Sequence, residues 1–237
     1  MIVLEGVECF LESRKTPLLY YNEHEDLQDF DTSARGRVKS SYIKCLEDQE
    51  FAIVIRPNNF KTTHPETSHL CIRLSIDGVI HAPHRYAVPV HSAGLFTCLL
   101  AREGARVMER KLKFAKLSVT EDGVAPKTPA QELGEIKVLC YRFKASGSVK
   151  TPGVLVSQDV KESKVHEKQL KGRDIGHVVG LGAAQEVSKV ELHITGTWID
   201  SLEYDPYLTF RFLYRSERTF FLLFTFPSPK LILRRCP

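Results

Sequence analysis

The apolar residues of this 237-residue chain recur at every second position, and this period constrains its fold more than any other feature. In the segment 70–76, leucine and isoleucine alternate with cysteine, arginine and serine. Because the side chains of a strand point alternately to opposite faces of a sheet, this alternation predicts strands and not helices. The same pattern recurs in four later segments: 111–114, 136–143, 190–194 and 208–215. We therefore predict a mainly β protein.

Turn residues separate two of the predicted strands. Asp77-Gly78 lies between the alternating segment 70–76 and the apolar pair Val79-Ile80. A type I′ turn needs positive φ at both central residues, and Asp-Gly meets this requirement more easily than most dipeptides. The sequence therefore predicts a β-hairpin with its tip at Asp77-Gly78.

Several predicted strands carry apolar residues on both faces, which is typical of strands inside packed sheets. In 136–143, the alternation places Arg142 on the same face as Val138 and Cys140, with Tyr141 on the other face. We predict an antiparallel β-sandwich with one or two short helices and long loops. The helical candidates are 128–134 and 163–171, and the loop candidates are 22–36 and 145–157.

Length and composition favour one folded unit followed by a tail. A chain of this length can bury about 70% of its unfolded surface, which is enough for one good core. We predict a single β-rich domain over 1–218, with a hinge or long loop at 145–165. After Arg218 the alternation stops, and the stretch 219–237 is rich in Phe, Leu, Ser and Pro. We predict an atypical, disordered tail there.

Charge and cysteine content favour an intracellular protein. The formal net charge is +4, and no apolar run reaches the length of about 18 residues that a membrane-spanning helix needs. The segment 1–11 contains Glu5 and Glu8 and lacks the pattern of a secretion signal. The six cysteines form no Cys-x-x-Cys pair, so free thiols in a reducing compartment are expected. We expect a cytoplasmic or nuclear protein with no membrane partner.

No residue pattern predicts catalysis or a cofactor. Five of the nine histidines fall within 64–91, and His81 and His84 are weak metal candidates because they form an H-x-x-H arrangement. Neither a Cys pair nor an H-E-x-x-H motif supports a metal there. Gly180-Leu181-Gly182 lacks the lysine of a phosphate-binding loop and is expected to form a turn or bulge beside a strand. We therefore predict no catalytic residue, no cofactor and no metal.

A basic segment is the best candidate for contact with a partner. Residues 61–150 carry 14 basic and 8 acidic side chains, whereas residues 1–60 carry 7 and 11. Near residue 112 the alternation places Leu112 and Phe114 opposite a cationic face. Cationic density without interleaved aromatic residues is weak support for nucleic acid, so we expect a protein partner and no nucleic acid. The candidate partner-binding residues are Arg106, Arg110, Lys111 and Lys113.

The order of several segments resembles a known family. These segments are FAIVIRP from Phe51, LCIRLSIDGVIHA from Leu70, RKLKFAKL from Arg110, LGEIKVLCYRFKA from Leu133, EKQLKGRDIGHVVGLG from Glu167 and DPYLTFRFLYRS from Asp205. In this order they resemble a family of fungal intracellular proteins that carry a domain of unknown function, over residues 4–218. The resemblance implies a β-rich domain of fungal origin with no assigned activity. It provides no catalytic residues to transfer to this chain.

Two classes of function remain open. The first is a non-enzymatic intracellular binding or interaction module that acts through protein–protein contact. The alternative is an enzyme or accessory protein of fungal small-molecule (secondary) metabolism, with a site between the sheets. An enzyme needs a nucleophile or acid–base pair together with groups that stabilise the transition state, and no motif in the sequence brings such residues together. We therefore favour the binding module.

Overall fold

The computed structural model describes residues 1–21, 37–103, 106–120, 132–151, 165–166, 175–187, 191–200 and 206–217. In chain order, their elements are β1 (Ile2–Leu4), β2 (Val7–Ser13), β3 (Thr16–Pro17), β4 (Tyr20–Tyr21), β5 (Arg37–Cys45), β6 (Ala52–Pro57), α1 (Phe60–Thr63), β7 (His69–Ile76), β8 (Val79–Pro89), β9 (Gly94–Phe96), β10 (Cys98–Glu103), β11 (Arg106–Lys116), β12 (Val119–Thr120), β13 (Glu135–Thr151), β14 (Val165–His166), β15 (His177–Glu186), β16 (Glu191–Trp198) and β17 (Leu208–Ser216). Within these ranges no helix has the length and hydropathy to cross a membrane. The protein is mainly β, as the two-residue period predicts.

Two sheets join edge to edge into a first layer. One has the strand order β1-β2-β6-β9, with β3 also paired to β2, and the other has the order β10-β11-β15. The backbone N–H of Phe51 donates to the carbonyl oxygen of Leu112 at 3.0 Å. The N–H of Phe114 donates to the carbonyl oxygen of Gln49, also at 3.0 Å. Because these bonds connect the segment before β6 to β11, the two sheets form one continuous surface, which we call layer one.

A seven-stranded sheet forms the second layer. Its strand order is β4-β5-β17-β13-β7-β8, with β16 also paired to β13. Its described strand pairs are antiparallel except for β5 and β17, which run parallel. β17 pairs with the first part of β13, up to Cys140, and β16 pairs with the second part, from Phe143. Arg142 therefore lies where the neighbour of β13 changes from one strand to the other.

The main hydrophobic core fills the space between the two layers. Phe114 of layer one stacks on Phe51, with 4.4 Å between ring centroids, and contacts Tyr214 of layer two at 5.2 Å. Burying an apolar side chain of this size stabilises the fold by about 1.5–3 kcal/mol. The fully buried residues include the alternating positions Leu70, Ile72, Leu74, Ile136, Val138, Cys140, Phe210 and Phe212. The predicted apolar faces of these strands are thus confirmed as core faces.

The hairpin predicted at Asp77-Gly78 is confirmed. Both residues have positive φ, 50° and 79°, and they connect β7 to β8. A second turn of this kind, Glu5-Gly6, has φ values of 48° and 76° and connects β1 to β2. Glycine adopts positive φ without the steric cost that a Cβ imposes, which is why it occupies the second position of both turns.

The structure corrects the expectation of a loop that begins at Ala145. β13 continues to Thr151, with a register shift between Ala145 and Gly147, because its second half pairs with β16. The small residues that suggested a loop are tolerated within the strand at this irregularity. The rest of the predicted hinge or loop lies outside the described residues, apart from Val165, which is part of β14.

One of the two helical predictions differs from the structure, and the other lies mostly outside the described residues. The predicted helix at 163–171 contains β14, which pairs in parallel with β12, and its other residues lie outside the described ranges. Of the candidate at 128–134, residues 128–131 lie outside the described part of the chain as well. In that part, α1 is the one α-helix, and no pattern in the sequence predicts it. The tail at 219–237 and the loop at 22–36 are likewise outside these ranges.

Candidate functional site

The strand β11 carries the predicted partner-binding residues, but on two faces. Leu112 is fully buried, and because side chains alternate along a strand, Arg106 and Arg110 share its face. Lys111 and Lys113 lie on the opposite face of the strand. The four cations therefore do not form one patch. The structure brings together the two lysines and separates them from the two arginines.

Acidic side chains of the same protein pair with three of these cations. The ammonium group of Lys113 lies 2.6 Å from Asp48, and that of Lys111 lies 3.1 Å from Glu50. On the other face, Arg106 lies 3.5 Å from Glu186 of β15. Lys111 and Glu50 keep 60% and 57% of their side-chain surface exposed, so theirs is a surface ion pair. Such pairs contribute about 0–1 kcal/mol to the stability of the fold. The lysine face is therefore a mixed-charge surface whose ion pairs break and re-form at little cost.

The segment that supplies Asp48 and Glu50 lies against β11, with Asp48 in a turn at a positive φ of 57°. The N–H of Asp48 donates to the carbonyl oxygen of Phe114 at 2.8 Å, and Glu50 forms an antiparallel bridge with Lys113. These backbone contacts fix the acidic side chains beside the lysines. We call Lys111, Lys113, Asp48 and Glu50 the lysine–acid row.

A second polar group of residues surrounds Tyr207, directly before β17. The Tyr207 hydroxyl lies 2.8 Å from His64 Nε2 and accepts a hydrogen bond from Arg37 Nη1 at 2.9 Å. The guanidinium group of Arg142 stacks over the Tyr207 ring at 4.1 Å, and the ring also packs edge-on against Phe60. We call Tyr207, Arg37, His64, Arg142 and Asp200 the Tyr207 cluster.

The strongest ion pair of the Tyr207 cluster joins β13 to the end of β16. Arg142 Nη2 and Nε donate to Asp200 Oδ1 at 2.7 and 3.0 Å, and the backbone N–H of Arg142 donates to Asp200 Oδ2 at 2.7 Å. These bonds raise the pKa of Arg142, while burial raises that of Tyr207 and keeps its hydroxyl protonated. The charged groups of the cluster point at one another. The arrangement therefore fixes the junction of three strands.

Sequence reasoning did not single out the Tyr207 cluster. Its members come from β5, from the ends of α1 and β16, from β13 and from the residue before β17, which are far apart in the chain. One signal was present, because the alternation places Arg142 in line with Val138 and Cys140, on a face that is otherwise apolar. A cation on the core side of a strand needs a partner, and Asp200 is that partner.

A buried carboxylate connects the two layers. Asp77 retains 4% of its surface, and its side chain accepts hydrogen bonds from the N–H groups of Gly134 at 2.8 Å and Val179 at 2.9 Å. The hydroxyl of Tyr214 also donates to it. Burial raises the pKa of Asp77, and these hydrogen bonds lower it in part. The tip of the β7–β8 hairpin is thus bonded to β15 of layer one and β17 of layer two.

The histidines that the sequence groups together lie in several different surroundings. His81 is buried on β8, and the side chain of His84 lies outside the described part of the structure. His64 belongs to the Tyr207 cluster, and His69 Nδ1 lies 3.0 Å from the hydroxyl of Ser68. Among the described residues, no group of three or more His, Cys, Asp or Glu side chains is placed to hold a metal ion.

One histidine outside these clusters predicts a dependence of stability on pH. Nδ1 of His177 is buried and finds no hydrogen-bond partner among the described residues, and burial lowers the pKa of His177 below 6.5. The folded chain therefore binds fewer protons at His177 than the unfolded chain does. Its contribution to stability is complete above pH 6.5 and is lost as the pH falls below that value.

We expect the urea concentration at the midpoint of unfolding to decrease as the pH is lowered from 6.5 to about 5. In the variant His177→Gln we expect this decrease to be smaller. Fluorescence of Trp198, the single tryptophan of the chain, reports the transition. Because burial also lowers the pKa of His69, part of the dependence remains in the variant. A variant with the same pH dependence as the unmodified protein contradicts the assignment.

A family model describes nearly the whole chain. Residues 6–227 match the domain of unknown function DUF7918, and the chain belongs to this family. The match continues beyond residue 218, where we expected the family pattern to end, so that expectation is corrected. Neither a curated protein nor a solved structure matches the chain. The description of the family names no activity.

Proposed function

We propose that this chain is a non-enzymatic binding module that contacts a protein partner through Lys111 and Lys113. One observation supports this proposal above the others: both lysines lie on one face of β11, and the opposite face is anchored in the core by Leu112 and Phe114. Because a rigid strand already holds these side chains, binding a partner costs little backbone entropy at β11.

The charges of this face suit recognition of a protein surface. Lys111 and Glu50 are both more than half exposed, so a partner reaches them without opening the fold. Charge pairs at the rim of an interface mainly guide encounter and specificity, and packed residues around them supply affinity. Leu46, which is 49% exposed and close in sequence to Asp48, offers apolar surface of that kind. The lysine–acid row therefore supplies the charged part of the proposed surface.

We also infer an intracellular location and a fungal origin. Buried thiols support the first inference, since Cys9, Cys45 and Cys140 are free and buried, and burial raises the pKa of Cys45 to about 12. Such thiols stay protonated and unreactive, which suits a protein from a reducing compartment. The fungal inference depends on the segment order described in the sequence analysis.

Affinity purification from a fungal extract tests the binding function. The variant Lys111→Glu with Lys113→Glu is compared with the unmodified chain, and we expect it to lose at least one reproducible protein partner. The matched control is Arg106→Glu with Arg110→Glu, which changes the same charge on the opposite face of β11. We expect the control to keep that partner, because its substitutions do not face the proposed surface.

Circular dichroism and thermal unfolding must show that both double variants remain folded. Equal loss of partners in the two variants would contradict the assignment of the surface, because a general charge effect would then explain it. A purified chain that retains a small metabolite and captures no protein would instead support the metabolic alternative.

A further inference from the structure

Independently of the proposed function, we propose that residues 220–226 pack across the outer face of layer one, over Phe10, Ala52 and Val54. The outer face is the side of layer one that points away from layer two. The inference depends on apolar side chains that are buried on this face and on the place where the chain leaves β17. It differs from the expectation of a disordered tail for residues 220–226 and keeps that expectation for residues 228–237.

Three apolar side chains are buried on the outer face, although the main core lies on the other side of the sheet. Along β6, Ile53 and Ile55 belong to the main core, so Ala52 and Val54 point outward. Phe10 of β2 lies opposite Val54 and points outward as well. The exposed fractions of Phe10, Ala52 and Val54 are 2%, 8% and 4%. Because an open sheet face leaves such side chains in contact with water, another part of the chain covers them.

The covered area is narrow and begins at the start of β6. Leu95 of β9 lies opposite Val54 and is 57% exposed, so the cover does not extend to β9. The guanidinium group of Arg56 lies 4.8 Å from the centroid of the Phe10 ring and covers part of it. Ala52 is four residues from Arg56, about 13 Å along the strand, so this side chain does not cover both ends of the area. A single segment that lies over β2 and β6 has the required width.

The chain leaves β17 at the end of the sandwich where this covered area begins. The ammonium group of Lys44 contacts Glu217, the last described residue before the tail. The backbone N–H of Lys44 donates to the carbonyl oxygen of Leu19 at 3.4 Å, and the residue before Leu19 donates to β2 at 2.9 Å. Ala52 pairs with the same end of β2, at Glu12. An extended segment of seven residues spans about 23 Å, so the residues that follow β17 reach Ala52 from there.

The composition of residues 220–226 suits an apolar face. The segment reads FFLLFTF, and in an extended conformation it places four apolar side chains on one side: Phe220, Leu222, Phe224 and Phe226. The family match ends at residue 227, directly after this segment. The segment therefore belongs to the family domain, whereas residues 228–237 lie beyond it. Burial of such side chains against Phe10 and Val54 removes apolar surface from water on both sides of the contact.

The acidic stretch 22–36 is the main alternative as the cover. It carries five acidic side chains, and apolar residues are few in it. Glu8 and Glu12 share the outer face of β2 with Phe10, because side chains alternate along the strand. Like charges at close range repel one another, so the acidic stretch suits this face less well than residues 220–226 do.

Photo-crosslinking in the full-length chain tests the position of the segment. The photoreactive amino acid benzoylphenylalanine replaces Phe224, and mass spectrometry maps the residues to which it becomes linked. We expect links to β2 or β6, and we expect a probe at Leu231, beyond the family match, to give none there. Links between two chains would assign the cover to a second copy and overturn the inference. Links to β2 or β6 from a probe at Phe30, but not from Phe224, would also overturn it.

Substitutions in the segment test its contribution to the fold. For Leu222→Asp with Phe224→Asp, we expect the urea midpoint of unfolding to fall by about 1 M, because two apolar contacts are lost. We also expect stronger fluorescence of the dye ANS, which binds exposed apolar surface. The matched control, Leu231→Asp with Leu233→Asp, is expected to change neither measurement. If the first variant does not fold, Phe224→Ala is compared with Leu231→Ala in the same way. Equal midpoints and equal dye fluorescence in the matched variants would contradict the inference.

Discussion

Asp77→Ala is expected to lower the free energy of unfolding by about 3–5 kcal/mol, a large part of the stability of an ordinary domain. The substitution leaves the N–H groups of Gly134 and Val179 and the hydroxyl of Tyr214 without their acceptor. Each of these donors is buried or partly buried, and an unsatisfied buried donor costs about 1–3 kcal/mol. Urea unfolding followed by Trp198 fluorescence measures the loss.

Asp48→Ala is the matched control for Asp77→Ala. Both aspartates have positive φ, 50° for Asp77 and 57° for Asp48, so alanine meets a similar backbone cost at the two positions. The side chain of Asp48 is 71% exposed, and it forms an ion pair with Lys113 at the surface. The difference between the two variants therefore reports the buried hydrogen bonds. Equal losses would show that the backbone conformation, and not the carboxylate, is what position 77 needs.

Arg142→Met is expected to cost about 2–3 kcal/mol, because it leaves the carboxylate of Asp200 without its cation. Asp200 retains 10% of its side-chain surface, and a fifth of Arg142 is exposed, so the cost lies below that of a fully buried pair. Methionine keeps much of the apolar length of the arginine. The same urea unfolding experiment measures the change.

A double-mutant cycle separates the ion pair from other effects of Arg142→Met. Asp200→Asn removes the negative charge and keeps an oxygen that accepts from the backbone N–H of Arg142. We expect the double variant to be more stable than the sum of the two single losses predicts, with a coupling energy of about 1–3 kcal/mol. Lys111→Met, at an exposed pair, should change stability by no more than about 0.5 kcal/mol. Additive losses at Arg142 and Asp200 would contradict the pairing.

Much of the strand content was predictable because it depends on local pattern. The alternation near Leu70, Leu112, Val138 and Phe210 places apolar side chains on one face, and those residues are buried in the structure. β15 was not predicted as a strand, because glycine and alanine leave its apolar period incomplete. Its conformation comes from pairing with β11, where the register shift leaves Gly182 and Ala183 opposite Lys111. The bulge expected there lies within a strand.

The positions of the site residues were predictable only where the alternation of side chains along one strand determines them. The rule that places Lys111 opposite Leu112 also separates it from Arg110, and a count of charges in the segment hides this separation. The burial of Asp77 depends on Gly134, Val179 and Tyr214, which lie far along the chain and enter only through the packing of two layers. A turn motif predicts the backbone at Asp77 but gives no information about these partners.

The position of β17 has a consequence for how the protein is made. β17 lies between β5 and β13. Its parallel pairing with β5 joins residues that are more than 160 positions apart in the chain, such as Arg37 and Leu208. During synthesis, the edges of β5 and β13 that β17 will cover emerge from the ribosome long before it does. Unpaired edges of this kind invite pairing with other chains, and long-range pairing slows folding. We therefore expect the nascent chain to be prone to aggregation until β17 has been synthesised.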